Sequence, residues 1–406
     1  MPRQNIITGL DIGSGAIKAL AALKPVKKEA LEVLALYQEP SSGVRKGVVI
    51  DPEGVSEQIS AVLKRLQEQI NQKISSVYVN VGGSHVFSAN SRGLVSVSRA
   101  DQKVSQEDVE RVLMAAQTFP LPANREILEV FPREFIIDGE KGIKSAEGLR
   151  GVRLEAEVLV LGGFSPYIKN LTDALLNSNL QINDLIFSPV ASARAVLSPK
   201  EKELGVALLD IGAGTTGLAV YEEGELVYTS ILPFGSSHIT NDLAIYLKTD
   251  TEMAERIKLE YGTLLFQGQD RKEKIKLDEG DTLVFSPKKI SRVTEDRVLE
   301  IFEEALKELK KIGKTELPSG IVLTGGGSKL PKIKDLAKRE FRLPSRIASA
   351  KGFASFQEDH CLSTVCGLVL SGADDQDQRG GWGEGMSVSG RGFKEMMKKI
   401  FKIFVP

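Results

Sequence analysis

The sequence predicts an α/β protein in which one strand–turn–strand unit is used twice, with a small α+β insertion early in the chain and an amphipathic helix at its C-terminal tip. Three observations carry that expectation. Leu10-Asp11-Ile12-Gly13-Ser14-Gly15 returns as Leu209-Asp210-Ile211-Gly212-Ala213-Gly214, each copy preceded and followed by an apolar, β-prone run. Apolar residues at three- and four-residue spacing mark helices between such runs. The pattern changes character at 84–162, and again in the Gly/Asp/Ser/Gln-rich stretch 371–390.

Composition narrows the class. The chain has 406 residues, 42% hydrophobic and 26% charged, enough for more than one core. A net charge of −1 gives no sign of the basic face of a nucleic-acid binder. Cys361 and Cys366 have no partner Cys or His motif beyond the adjacent His360, and read as buried structural thiols in a reducing cytoplasm. There is no apolar stretch of signal-peptide length and no run of about 18 apolar residues. The expectation is a protein inside the cell that does not span a membrane.

The elements follow in order. Residues 5–82 read as strand, turn, strand, a third strand near 31–37, and a helix from Pro52 to Ile70 with Val55, Ile59, Val62, Leu63 and Leu66 on one face. Pro52 suits a first helical turn. A strand, Val77 to Val81, ends at Gly82-Gly83. In the insertion, strands at Val86–Ser98, Ile127–Ile137 and Leu154–Leu161 surround a helix, Ser105–Ala116, whose Ser105 and Asp108 resemble a capping box. Phe119-Pro120-Leu121-Pro122 and Phe131-Pro132 are read as interruptions. A helix at 165–181, a strand Ile182–Phe187 and a helix Pro189–Leu197 lead to the second turn. A strand Tyr228–Leu232 and a helical region Ser237–Gly262 follow, then a charged hairpin or loop at 268–289. A helix is expected from about Thr294 to Lys311, stopped by Pro318. Next come a strand Ile321–Leu323 running into Thr324-Gly325-Gly326-Gly327-Ser328, and helices at 331–340 and 361–370. Residues 371–390 read as a flexible linker spanning roughly 25 Å by random-coil scaling.

The repeated turn carries the chemistry. A glycine turn brings backbone N–H groups close to an anion, and a neighbouring Asp holds a cation through water. Asp11, Gly13, Ser14, Gly15 and Lys18 make one such site; Asp210, Gly212, Gly214, Thr215 and Thr216 make the other. Two turns facing each other would clamp a metal-bound polyphosphate, with Asp11 and Asp210 toward Mg2+ and its water, and Lys18 toward phosphate. Asp210 is also a candidate for placing the attacking water. A single Asp-Gly turn has a plain reading as a hairpin; the repetition is what favours the clamp. Gly325, Gly326, Gly327 and Ser328 fit close approach to a base or sugar, or simply a loop. Glu255 and Lys258, three apart on one helix, fit either ribose and adenine contacts or a surface ion pair.

Three glycine turns in this order resemble the actin-like ATPase superfamily. Several intervening segments resemble the FtsA family of bacterial cell-division proteins more closely: Val79-Asn-Val-Gly-Gly-Ser-His-Val86 with Asn90-Ser-Arg-Gly93, Ser188-Pro-Val-Ala-Ser-Ala-Arg-Ala-Val196, Pro233-Phe-Gly235, Ala254-Glu-Arg-Ile-Lys258 and Ile321-Val-Leu-Thr-Gly-Gly-Gly-Ser328. The resemblance covers about residues 5–370 and the C-terminal tip. It implies two ribonuclease-H-like domains with ATP and Mg2+ in the cleft between them. The first would be 1–83 with 163–190, carrying an SHS2-like subdomain at 84–162 that takes part in longitudinal polymer contacts. The second would be 191–236 with 306–372, its outer part, 237–305, receiving the acidic tail of the tubulin-like protein FtsZ. Residues 373–390 would be linker and 391–406 a membrane helix. Lys289 and Arg297, in the basic stretch that includes Lys288, match the family's positions for charged contacts to that tail; composition alone makes them a solvated face. Ala213 stands where many relatives carry a third Gly, which matters only if its φ is positive. No clear equivalent of actin's water-orienting Gln is found, so at most slow ATP hydrolysis is expected.

At the C-terminus, Phe393, Met396, Met397, Ile400, Phe401, Ile403 and Phe404 fall on one helical arc, with Lys394, Glu395, Lys398, Lys399 and Lys402 opposite. Cations flanking bulky apolar side chains suit an anionic bilayer surface better than a core. The expected function is therefore an ATP-binding, polymer-forming adaptor. It would tether FtsZ filaments to the inner face of the cell membrane at the septum and help recruit later division proteins. The alternatives are a PilM-like scaffold of pilus assembly and a small-molecule kinase on the same fold. Neither uses the terminal helix.

Overall fold

The computed structural model describes residues 6–25, 30–118, 120–269, 271–276, 282–354 and 359–380. The chain divides into two compact units. The larger comprises Met1–Ser84, Asn170–Gly224 and Thr229–Gly372; the smaller is built on His85–Lys169.

The larger unit begins with β1 (Ile6–Ile12) and β2 (Ala16–Leu23), an antiparallel pair around the first glycine turn, and β3 (Leu31–Pro40), antiparallel to β2. A small hairpin of β4 (Val44–Arg45) and β5 (Val48–Val49) precedes α1 (Pro52–Ile70). The Asp51 carboxylate accepts from Gly54 N at 3.1 Å, and Pro52 takes a position whose N–H has no helical partner. Val55, Ile59, Val62, Leu63 and Leu66 are buried, as their spacing requires. β6 (Ser76–Val81) then lies parallel to β1.

The smaller unit is an antiparallel sheet with one helix on it. Its elements are β7 (Phe87–Ser96), α2 (Gln106–Gln117), β8 (Arg125–Ile137), β9 (Glu140–Ile143) and β10 (Arg153–Phe164), in the order β7-β10-β8-β9. The capping box is complete: Asp108 N donates to Ser105 Oγ (3.2 Å) and Ser105 N to Asp108 Oδ2 (2.9 Å). Val109, Val112, Leu113 and Ala116 pack into a core with Phe135, Leu154 and Val158. Pro132 does not interrupt its strand, contrary to the sequence expectation. The ladder to β10 shifts register between Glu157 and Val158, opposite Glu134 and Pro132, and this irregularity accommodates the missing donor.

Beyond α3 (Ser165–Asn177), the chain makes β11 (Gln181–Phe187), parallel to β6, then α4 (Ser188–Val196) and α5 (Pro199–Leu204). The second sheet follows: β12 (Val206–Ile211), β13 (Thr216–Glu222) and β14 (Glu225–Leu232). Next come α6 (Ser236–Leu247), α7 (Thr251–Tyr261), an antiparallel hairpin of β15 (Glu273–Lys276) and β16 (Thr282–Phe285), and α8 (Pro287–Lys311). β17 (Ile321–Thr324), α9 (Ile333–Phe341) and β18 (Ser345–Ile347) complete it. β19 (Phe353–Ala354) returns to the edge of the first sheet beside β3, and α10 (Ser363–Gly380) closes the described chain. The sheets run β11-β6-β1-β2-β3-β19 and β14-β13-β12-β17-β18. Each sets an antiparallel glycine-turn hairpin beside two parallel strands, so the repeat in the sequence is a repeat of architecture.

Three boundaries differ from the sequence reading. The helical region after residue 236 is broken at Lys248, where φ is +54°, into α6 and α7. α8 starts at Pro287 because Ser286 caps it, a signal masked by the adjacent lysines. Its end at Lys311 is the expected one, but the stop is Gly313, which turns left-handed, rather than Pro318. α10 continues to Gly380, so residues 371–380, expected as linker, are helical; Ala373 is still buried. The expected linker beyond 380 and the expected membrane helix, with Phe393, Met396, Met397, Lys398, Lys399, Ile400, Phe401, Lys402 and Phe404, lie outside the described residues. Among the described residues no helix is long and apolar enough to cross a membrane.

α5 is tied to β18 by one charged clasp. Glu201 accepts from Arg346 Nε (2.7 Å) and Nη2 (2.9 Å), and from Ser198 N (2.8 Å) and Oγ (2.7 Å). Burial works to raise its pKa, but these donors reverse that and hold it at about 2, below the ordinary 4.5. A depressed folded-state pKa means the clasp stabilises fully above the unfolded value and is lost as pH falls through the folded one. The stability difference between the wild type and Glu201→Gln is therefore expected to be largest near neutrality. In urea titrations it should shrink between about pH 5 and about pH 2.

Candidate functional site

The two hairpins bring their turns together within the larger unit. In both, the first glycine N–H closes the turn: Gly13 N donates to Ala16 O (3.1 Å) and Gly212 N to Thr215 O (2.9 Å). A Cβ on Gly15 would lie 2.7 Å from Ala213 Cβ, and one on Gly214 would lie 2.8 Å from Ser14 Oγ. The turn residues have no positive φ, so these glycines are needed for room rather than for a left-handed backbone. For the same reason Ala213 is unstrained, and its departure from a third glycine leaves the turn intact.

The surroundings hold the turn tips by other groups. Gly47 N donates to Ser14 Oγ (2.8 Å), and Ser41 N to Gly15 O (3.2 Å). The first N–H groups of α6 take the carbonyls of the second turn: Ser236 N to Gly212 O (2.8 Å) and Ser237 N to Ala213 O (2.9 Å). The N–H groups of Ser14, Gly15, Ala213 and Gly214 have no hydrogen-bond partner among the described residues, and all four residues line a cavity of about 330 Å³. Unpaired backbone donors facing a polar cavity are what a polyphosphate needs.

The charged groups sit on the strands just behind. Lys18 Nζ is 3.0 Å from Asp11 Oδ2. Burial opposes the Lys18 charge, but the Asp11 carboxylate and its hydrogen bond, with further help from Asp210, raise the lysine pKa above its ordinary value. Asp210 Oδ2 accepts from Ser192 Oγ and, at 3.1 Å, from Thr364 Oγ1. Burial and the like charge of Asp11 outweigh these donors and push the Asp210 carboxyl up. Two carboxylates that feel each other, one of them paired with a lysine, suit a hydrated divalent cation and its anionic ligand.

Of the sequence-identified residues, Asp11, Gly13, Ser14, Gly15, Lys18, Asp210, Gly212, Gly214, Thr215, Gly325 and Gly326 line this cavity. Gly325, at φ +81°, lies against Asp210 Oδ1 and Ile211 O, where no side chain fits. The others lie outside the lining. Thr216 is fully buried and donates to Phe234 O (2.8 Å). Gly327 packs on Ile211, and Ser328 Oγ closes the turn on Gly325 O (2.7 Å). Lys258 is buried and Glu255 is partly exposed: Lys258 Nζ donates to Glu255 (2.6 Å), Thr240 (2.9 Å) and Ser236 O (3.4 Å), so the pair is tied to a cavity-lining residue. Cys366 is buried, whereas Cys361 is only partly so and lines the cavity, so the expectation of two buried thiols holds for one. Among the described residues no His/Cys/Asp/Glu group is arranged to hold a metal by side chains alone.

Arg297 is not the free cation its sequence context suggests. Its Nε and Nη2 clasp Asp242 of α6 at 2.6 and 2.9 Å, and Nη1 meets Glu300. Lys289 is exposed in the first turn of α8.

Missed in the sequence were Gln38, Asn80, Ser188, Lys329, Asp359 and Thr364, all lining the cavity. Asn80 accepts from Ile12 N (2.7 Å) and donates to Ser188 Oγ (3.1 Å). Lys329 and Asp359 pair at 2.9 Å.

A duplicated five-strand pattern with facing glycine turns defines a protein of the actin-like fold. Solved structures agree on the fold: a PilM–PilN type IV pilus biogenesis complex covers 90% of this chain and 98% of the other at a TM-score of 0.64 and 18% identity. MreB5 of Spiroplasma citri bound to ADP covers 94% and 100% at 0.59 and 14%. Residues 207–367 match the family "Cell division protein FtsA", and residues 83–161 match "SHS2 domain inserted in FTSA". The FtsA proteins of Pseudomonas aeruginosa (36% identical; 96% of this chain, 93% of the other) and Borreliella burgdorferi (34%; 90% and 91%) are similar over nearly their whole length. This chain belongs to the FtsA family of actin-like cell-division proteins, and its inserted unit is an SHS2 domain.

Proposed function

We propose that this chain binds magnesium–ATP between its two glycine turns and uses the bound nucleotide to assemble into filaments. Its C-terminal segment would hold those filaments on the inner face of the cell membrane at the septum, where they tether FtsZ and help recruit later division proteins. The facing turns with unpaired N–H groups, next to Asp11, Lys18 and Asp210, support the nucleotide reading most directly. In it, Ser14, Gly15, Ala213 and Gly214 supply backbone donors to phosphate and Lys18 a cation. Asp11 and Asp210 hold the waters of Mg2+, which supplies charge neutralisation when bound. Gly325 and Gly326 supply a flat wall, and Glu255 and Lys258 hold the start of α6 through Ser236 and Thr240.

For the FtsZ tail, Lys289 is the exposed cation of the pair. Arg297 is better assigned to holding α8 on α6, because its charge is already met by Asp242 and Glu300. The amphipathic pattern of 391–406, with Lys on one arc and Phe, Met and Ile on the other, supports reversible membrane attachment, at about 1 kcal/mol per Lys near an anionic surface. Polymerisation makes such attachment firm by multivalency. Truncation after residue 390 is expected to abolish co-sedimentation with anionic liposomes while ATP binding persists. Unchanged co-sedimentation of the truncated chain would overturn the membrane assignment.

A further inference from the structure

We propose that Gln38 orients the water that attacks the terminal phosphate of the bound nucleoside triphosphate, an inference resting on the nucleotide-binding reading above. One row of side chains carries it. β1, β2 and β3 are antiparallel neighbours; Asp11 stands opposite Lys18 and Lys18 opposite Gln38. Directly opposed residues place their side chains on the same face, about 5 Å apart. Asp11, Lys18 and Gln38 therefore form a line across three strands, and all three line the cavity.

The members of the row differ in commitment. Asp11 and Lys18 hold each other at 3.0 Å. Gln38 is exposed, and its carboxamide has no hydrogen-bond partner among the described residues. Four other neutral polar side chains of the cavity are already engaged: Asn80 with Ile12 N and Ser188, Ser188 with Val81 O (3.1 Å), Ser14 with Gly47 N, and Thr364 with Asp210; of the rest, Thr215 and Ser236 carry only short hydroxyl stems and lie outside the Asp11–Lys18–Gln38 row. A carboxamide offers an oxygen that accepts a water proton and an NH2 that donates to a phosphoryl oxygen, on one stem. Phosphoryl transfer depends on positioning and charge stabilisation rather than on a strong base, so a neutral Gln beside a lysine suffices.

The step is hydrolysis. The water oxygen bonds to the γ-phosphorus as the bond from that phosphorus to the β–γ bridging oxygen breaks. The bridging electron pair leaves with ADP, and the water proton passes to the released phosphate. Nothing is oxidised or reduced.

The test uses the full-length chain with Gln38→Ala and Gln38→Asn, the second keeping a carboxamide on a stem one methylene shorter. Affinity for ADP and for AMPPNP is expected to stay within about threefold of wild type. Affinity for ADP with aluminium fluoride, which mimics the transferring phosphoryl group, should fall about tenfold or more. Single-turnover phosphate release should fall about 100-fold in both variants. Unchanged aluminium-fluoride binding and phosphate release would overturn the proposal. So would equal losses for ADP and its aluminium-fluoride complex, which would make Gln38 part of the binding wall. Wild-type protein that binds ATP but releases no phosphate would overturn it while leaving the nucleotide reading intact. Wild-type protein that binds no nucleotide would overturn both.

Discussion

Asp210→Asn is expected to weaken magnesium–ATP binding by roughly 10- to 100-fold, the scale found when a group orienting a metal's ligands is lost, without lowering the stability of the fold. The two halves of that expectation come from one observation. In the absence of ligand, Asp210 is a carboxylate held in a confined place beside Asp11, and its pKa is pushed up by burial and that like charge. An amide of the same shape keeps the oxygen that accepts from Ser192 and Thr364 and removes the repulsion. The melting temperature should then stay level or rise. Binding should fall because, on the proposed function, a divalent cation relieves that repulsion. Calorimetric titration with ATP, with and without Mg2+, measures the affinity, and a thermal scan measures the fold. A variant that lost binding only because it unfolded would contradict this reading.

The second large effect is expected at Gly367→Ala. A Cβ there would lie 1.8 Å from Ala191 O, so α10 and α4 touch backbone to backbone at this point. Carbonyl oxygens in a helix do not yield as a flexible side chain does. The helices must separate, at a cost of about 3 kcal/mol. The consequence reaches the site because Ser192 on α4 and Thr364 on α10 are the donors to Asp210, and their hydroxyls lie 2.9 Å apart. The denaturant midpoint should fall, and the affinity for magnesium–ATP with it. A midpoint within experimental error of wild type would show that the crossing is softer than its geometry implies.

Legibility in the sequence followed locality. The glycine turns are six contiguous residues whose backbone does the work, so their recurrence announced both hairpins and most of the cavity floor. Ser105 with Asp108, and Asp51 with Pro52, were legible for the same reason: a cap and its partner lie within one turn of helix. Gln38 was not, because only the pairing of β2 with β3 brings it beside Lys18. Thr364 meets Asp210 across 154 positions, and Arg297 meets Asp242 across 55, so neither the clasp nor the neutralised arginine has a local signature. Pro132 misled because proline reads as a break, while the register shift that tolerates it depends on β10. The Gly/Asp/Ser composition after residue 371 suggested a linker, yet Ala373 is buried and the helix runs on.

On the proposed function, the cavity is an assembly switch whose output is read at a membrane. Electron microscopy of the full-length chain on anionic lipid monolayers, with and without magnesium–ATP, tests that claim most directly. Filaments are expected on lipid with the nucleotide, and should be lost both on removal of residues 391–406 and in Asp210→Asn. Filaments equally abundant without nucleotide, or in Asp210→Asn, would contradict it.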